Sequence, residues 1–458
     1  MLNDKLDQYI KEGYYPFHMP GHKRNIDLLN KNLPYNRDIT EICGFDNLND
    51  PESLFVFMEE ALAHTYEAKE AIISTNGSTA SILATMRSLS KKNKKILISR
   101  FAHKSVFNGI ELFDLDVDYI KTKVNDQGII SDIDYEDLQE KLEKNTYDFV
   151  LLTSPTYEGY LLDLKKVHKL CKRKETPLII DMAHGSHIHL YDDYKEYFSY
   201  DLAITSFHKN LSALTPASCI LINDEELDSK EIRRNMAIFQ TSSPSYVVCQ
   251  SIDDMIFSHP KFPILKENLD INLDLLYKLH LKNLEFVNDD RRDRTKILIS
   301  TKNTNISGYK LQELLLERKI EIEMAQATYV LLISTIFDKK EGFESLKSAL
   351  MSIDQSLEKS KASFDFKNII PKKAMKISKA MENKKSLVDI EKAGGKICGQ
   401  YIYSYPPGIP MIVPGEVFSE DLIKEISYLK SVGANLFYDD GKVFIVNWQW
   451  IYNLISFY

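Results

Sequence analysis

Short apolar runs, set off by turn residues, recur through the first half of the chain. KILIS at 95–99, DVDYI at 116–120, DFVLLT at 148–153, PLIID at 177–181, DLAITS at 201–206 and SCILIN at 218–223 each read as a strand. Runs such as DFVLLT suit parallel strands covered on both faces. Helical spacing appears between runs, at 132–144 and 163–174. Residues 56–88 read as helix, short strand, loop and helix, the loop being ISTNGSTAS at 73–81. Such repeated strand–helix alternation predicts an α/β domain with a mainly parallel sheet.

After about residue 255 the pattern changes. A helical stretch runs to about 288, followed by KILIST (296–301), a helix at 307–318, KIEIE (319–323), YVLLIST (329–335) and a helix at 341–352. That order predicts a smaller α+β domain. The Lys-rich stretch 353–395 has helical spacing, and NLFYDDGKVFIVNW near the end reads as a hairpin around Asp440–Gly441. One short helix and an irregular Pro- and Gly-punctuated segment open the chain. The expected division is therefore an arm at 1–55, an α/β major domain at 56–265 and a C-terminal region at 266–458.

Composition narrows the class. Of 458 residues, 44% are hydrophobic and 27% charged, as in ordinary globular proteins, and the formal charge of −8 argues weakly against nucleic acid as a partner. The five cysteines are scattered without a Cys-x-x-Cys pair, which fits reduced thiols and neither a disulfide framework nor a metal site. No apolar run approaches a membrane span, and the first residues lack a signal-peptide pattern, so a cytoplasmic protein is expected.

In open α/β sheets, ligands bind beyond the carboxyl ends of the strands. Four clusters fall at such ends. Gly77-Ser78-Thr79 precedes an apolar helix, where free backbone N–H groups favour phosphate, although Ser and Thr there also make an ordinary N-cap. Asp181 ends the strand LIID and needs a cationic or hydrogen-bonding partner, which a protonated pyridine nitrogen or a local cap would supply. Lys209, in Ser206-Phe207-His208-Lys209, directly follows a buried strand. A desolvated lysine forms imines with aldehydes, whereas a lone lysine also snorkels to solvent. His103, just past KILIS, is placed to stack on a flat ring or to serve as a surface or core histidine. Asp181 and Lys209 stand 28 residues apart, room for one helix and one strand, so both side chains are expected on neighbouring strand tips. A carboxylate for a ring nitrogen and an imine-forming lysine are what pyridoxal 5'-phosphate (PLP) requires.

Nine segments in order resemble the PLP-dependent ornithine/lysine/arginine decarboxylases of the aspartate-aminotransferase fold (fold type I). They are FHMPGHK (17–23), DITEICGFDNL (38–48), TNGSTASILA (75–84), RFAHKSVFNGIEL (100–112), TSPTYEGY (153–160), IIDMAHGSH (179–187), SFHKNLSALTPAS (206–218), QTSSPSY (240–246) and YPPGIPMIVPGE (405–416). The match covers most of the chain and looks like the short form, without an N-terminal wing domain. It implies that Lys209 is the Schiff-base lysine, that Asp181 pairs with the pyridine nitrogen, that His103 stacks on the ring and that His184 lies close to the ring or imine. Gly77, Ser78, Thr79, Ser206 and His208 would surround the phosphate. A homodimer or larger homo-oligomer is implied, with its site at the subunit interface, so that Thr241 or Ser242 reaches a partner's cofactor. The chain departs from the family at Met182, Ser186, Asn210 and Pro216, where the pattern has Glu, Ala, Thr and often Gln.

The implied activity is α-decarboxylation of lysine, arginine or ornithine to a diamine or agmatine, within polyamine biosynthesis, with Glu41 or Glu416 meeting the substrate's distal cation. Two other readings stand beside it. An aminotransferase of this fold clamps the α-carboxylate with an arginine in its small domain, yet no arginine follows Arg318. A homologue that holds PLP without turnover is the other, given the departures at 182, 210 and 216.

Overall fold

The computed structural model describes the chain except residues 14–18, 21–22, 25–26, 28–31, 91, 191–193, 195–196, 361–368, 405–407, 439–440 and 448–458. Most of FHMPGHK, the start of YPPGIPMIVPGE and Asp440 therefore lie outside the described residues. Backbone contacts divide the chain into two compact units, Met1–Lys91 with Asp163–Ile271 and Thr335–Asp338, and Lys92–Leu162 with Asn272–Ser334 and Lys339–Tyr458.

In the first unit, the strands Glu70–Ser74, Ser218–Ile222, Leu202–Ser206 and Leu178–Met182 lie side by side in that order. Ser218–Ile222 runs antiparallel to both neighbours, while Leu202–Ser206 and Leu178–Met182 are parallel. The last three are buried at every residue, as their apolar sequences require of strands covered on both faces. The helix Leu164–Lys172 buries Leu164, Val167 and Cys171, an i, i+3, i+7 stripe, and is capped by Asp163, which accepts from the Lys166 N–H. Asp201, at the entry of the Lys209 strand, ties that helix to the sheet. It accepts from the Leu178 N–H at 2.7 Å, His168 Nε2 at 2.9 Å and Lys172 Nζ at 2.8 Å. Burial opposes its charge, but these donors hold its pKa down to about 2.

The second unit carries Asp116–Ile120, Lys95–Ser99 and Val150–Thr153 as adjacent parallel strands. It also holds a four-stranded antiparallel sheet built on Lys296–Ser300 and Tyr329–Ile333, with the helices Gly308–Leu316 and Lys340–Gln355. A further core gathers Cys398, Ile402, Ile412, Phe418 and Ile426. The expected class holds: an α/β protein with mainly parallel major strands and a smaller α+β part.

Several local expectations fail for nameable reasons. The helix expected from residue 132 begins at Tyr135, because Ile130–Ile133 pairs with Thr122–Val124 and Asp134 caps the helix through the Glu136 and Asp137 N–H groups. KIEIE is not a strand. Lys319, in the left-handed region at φ 59°, closes the preceding helix, and pairing resumes only at Met324–Ala325. The stretch 353–395 is not a helical connector either. Within it, Lys385–Asp389 is a strand paired with Lys442–Val446, so a partner far along the chain takes the strand that a hairpin at Asp440–Gly441 would have used.

Candidate active site

Strand register brings the first unit's polar residues to one end of its sheet. Ser218 faces both Ser74 and Ser206, so the ends of the Glu70–Ser74 and Leu202–Ser206 strands share a row. Asp181 faces Ile204, two residues short of Ser206 on the adjoining parallel strand. The chain leaves Ser206 in a single helical turn, Phe207–Asn210, which carries Lys209. Lys209 Nζ lies 3.0 Å from His184 Nε2, a hydrogen-bonding distance.

Asp181 is almost fully buried, and one carboxylate oxygen accepts from the Ala183 N–H at 3.1 Å. Burial raises its pKa, and the charge of Lys209 opposes that rise. The carboxylate is thus short of positive charge, the condition a protonated ring nitrogen would relieve. His208 gives its Nδ1 side to the Ala217 carbonyl at 2.9 Å, and burial lowers its pKa.

Gly77 opens the helix Gly77–Leu89 at φ +72°, a backbone conformation that L side chains rarely adopt. A Cβ there would also come within 3.4 Å of the Pro216 side chain. Asn76, at the N-cap, makes no side-chain cap bond, so the helix start has N–H groups to offer an anion. Thr75 Oγ1, Ser206 Oγ and both amide atoms of Asn210 are buried without a hydrogen-bond partner among the described residues. Buried polar atoms are normally satisfied, so these orphans mark positions for atoms of a ligand. A phosphate over the Gly77 turn and a ring between Lys209 and Asp181 fit this set, and the residues present suit PLP.

Three side chains to which sequence reasoning gave no role hold this region together. Gln240 accepts from the Thr75 N–H at 2.9 Å and donates to Asn49 Oδ1 at 3.1 Å. Asn49 in turn donates to the carbonyls of Thr241 at 3.2 Å and Ser242 at 3.3 Å. The Thr241 N–H reaches Asn76 Oδ1 at 3.4 Å, so the exposed Thr241–Ser242 turn sits against this chain's own Gly77 loop. Tyr66 donates to the Ser186 carbonyl at 2.7 Å and fixes the loop beyond Asp181. Gln240 opens the segment QTSSPSY and Asn49 directly follows DITEICGFDNL, whereas Tyr66 carries no motif signal.

The remaining candidates divide. Glu41 is half-buried; Oε2 accepts from Ser243 Oγ at 3.3 Å, while Oε1 is buried without a partner among the described residues. His103 lies in the second unit, where its Nδ1 caps the helix Lys104–Leu112 by accepting from the Ser105 N–H at 3.2 Å. Glu416 has a counter-ion of its own: its Oε2 pairs with the buried Arg100 at 2.8 Å and accepts from the Val413 N–H at 2.9 Å, while its Oε1, like that of Glu41, is buried without a hydrogen-bond partner among the described residues. Among the described residues no group of His, Cys, Asp and Glu has metal-holding geometry, and no helix is long and apolar enough to cross a membrane.

Fold and strand-end cluster define the class, an α/β protein of the PLP-dependent transferase type, fold type I. Solved structures of the same architecture include the constitutive lysine decarboxylase of Escherichia coli (TM-score 0.84, 18% identity, 97% of this chain and 81% of that one) and the lysine decarboxylase of Francisella novicida (TM-score 0.83, 18% identity, 97% and 80%). Residues 2–259 match the major domain of the Orn/Lys/Arg decarboxylase family and residues 357–435 its C-terminal domain, so the chain belongs to that family and is an amino-acid decarboxylase. Curated relatives include the arginine decarboxylases of Bacillus anthracis (26% identity over 449 residues, 92% of this chain and 91% of that one) and Bacillus subtilis (25% over 450 residues, 92% and 91%).

Proposed function

We propose that the enzyme uses PLP to remove the α-carboxyl group of lysine, arginine or ornithine as CO2, leaving a diamine or agmatine. The observation that carries this reading is the 3.0 Å approach of Lys209 Nζ to His184 Nε2, with Asp181 buried at the end of the adjoining strand. When bound, the cofactor supplies an electron sink for the pair left on the α-carbon.

The chain's own groups do the rest. Lys209 would be the cofactor's point of attachment, and its amine, when free, would supply the proton to the α-carbon. His184, in reach of Nζ, orients that amine and shares its proton. Asp181 would keep the ring nitrogen protonated, and the cation so gained would offset the cost of its burial. Gly77, Ser78, Thr79, Ser206 and His208 would hold the phosphate, and the family resemblance gives His103 the ring-stacking role. Glu41 is the better candidate for the substrate's distal cation, since Arg100 already neutralises Glu416.

The same reading makes 56–265 the cofactor-binding domain, with 1–55 as its arm and 266–458 as the C-terminal region. It pairs two copies in a cytoplasmic homodimer with Thr241 and Ser242 at the partner's site. The names of the relatives support a basic substrate, and the shortage of positive charge around Asp181 supports the cofactor. Full-length protein supplied with PLP is expected to release labelled CO2 from carboxyl-labelled lysine, arginine or ornithine. A keto acid with pyridoxamine phosphate, and no CO2, would defeat the reading in favour of transamination.

A further inference from the structure

A second cavity lies wholly within the second unit. It has a volume of about 240 Å³ and is walled by Leu422 and Leu429 of the helix Glu420–Ser431, by Met411, and by the 326–329 turn. Gln127, Gln326 and Ser404 give it amide and hydroxyl groups. Among the described residues, Glu425 is the one lining group that carries a formal charge, and no lysine, arginine or histidine is found with it. Among the described residues Glu425 makes no hydrogen bond or ion pair. The other titratable lining group, Tyr329, donates to Glu158 at 2.8 Å, and burial holds its pKa well above the ordinary value.

The lining is part apolar and part polar, and a carboxylate held there without a described counter-charge is costly in an empty protein and selective in a filled one. An anion is repelled by it, and a neutral apolar molecule leaves it unpaired. An organic cation with an aliphatic body satisfies both walls. We propose that this cavity binds an aliphatic primary amine, its ammonium against Glu425 and its methylene chain along Leu422, Leu429 and Met411. The glutamine amides would meet a second polar end. Burial pushes the Glu425 carboxyl up to about 7. The carboxylate form binds the cation, so affinity rises with pH through neutrality, and binding at or below that value releases a proton.

The site is separate from the Lys209 chemistry, and the proposed function enters only in the choice of probe, since diamines are what basic amino acids become on losing their carboxyl groups. The test is calorimetric titration of 1,5-diaminopentane into full-length protein carrying PLP, with the Lys209 linkage sealed by borohydride so that the amine cannot react there. The parent is expected to bind one equivalent per chain, more tightly at about pH 8 than at about pH 6. Glu425→Gln is expected to weaken binding by at least about tenfold. Thr328→Lys, which furnishes the cavity with its own ammonium, should do the same while leaving turnover intact. Equal affinity in parent and both variants, or no binding in the parent, overturns the proposal even if decarboxylation is found. Glu425-dependent binding in a protein that releases no CO2 would leave the site standing and the decarboxylation reading fallen.

Discussion

Asp181, in the first unit, and Glu416, in the second, are both taken out of water, and burial raises the pKa of each. Around Glu416 the chain supplies its own cation. Arg100 pairs with it at 2.8 Å, donates to the Pro410 carbonyl at 2.7 Å, and lies 5.3 Å from the ring centres of both Phe107 and Tyr119. Around Asp181 there is one backbone N–H and the field of Lys209. The residue types are alike and the surroundings are not. A buried carboxylate matched by an internal guanidinium is a fastening, and one left short of positive charge marks where a cationic group of a ligand belongs.

The largest effect that would test this contrast is at Lys209. Lys209→Ala should abolish the visible absorption of the PLP-loaded protein and lower the decarboxylation rate by at least about four orders of magnitude, the upper range for a proton-transfer group alone. Unfolding in urea should change little. A surviving visible band would sink the lysine assignment. Arg100→Ala should do the reverse. It strands Glu416 in the core and should cost about 3–5 kcal/mol of unfolding free energy, while protein that still folds keeps its PLP absorption. If urea denaturation shows less than about 1 kcal/mol of loss, the pair is not the fastening its burial suggests.

Asp181→Asn should fall between these. It keeps the shape, removes the charge, and should lower kcat by about 10²–10³-fold, as losing one well-placed electrostatic partner does. Without PLP the variant should be no less stable than the parent, because an uncompensated buried carboxylate has been neutralised. A variant that loses stability and keeps its kcat would reverse the roles assigned to Asp181 and Glu416.

Much of the first region was readable from the chain. Continuous apolar runs marked the buried strands, so Asp181 and Lys209 stood out as polar groups at their ends. The interval between them allowed one crossover, and the observed neighbour pairing of Asp181 with Ile204 follows from it. What could not be read depends on contacts between distant segments. The Gln240–Asn49 link joins positions 191 residues apart. The strand Lys385–Asp389 exists because Lys442–Val446 pairs with it, and local composition there says helix. Glu425 looks like any polar residue of an amphipathic helix until Gln326 and Tyr329, far away in sequence, close the space around it. The guanidinium partner of Glu416 is equally out of local view, since Arg100 stands 316 residues earlier.

The smallest expected effect concerns Glu425, which lacks the internal cation of Glu416 and stands apart from the lysine that acts on Asp181. Its folded pKa, pushed by burial from 4.5 to about 7, exceeds the unfolded value. The folded state therefore favours the protonated form. That contribution is fully present below about pH 4.5, fades as pH rises, and is gone above about 7, where folding must carry an ionised, unpaired carboxylate. Glu425→Gln removes this penalty, and the variant should be more stable than the parent by up to about 3 kcal/mol at pH values well above neutrality. The two proteins should converge as the pH falls toward the ordinary glutamate range, when compared by urea denaturation without added amine. Saturating 1,5-diaminopentane should narrow the gap at high pH by stabilising only the parent. A parent–variant difference that does not change with pH would mean that Glu425 is solvated, and that its cavity holds water well enough to need no cation.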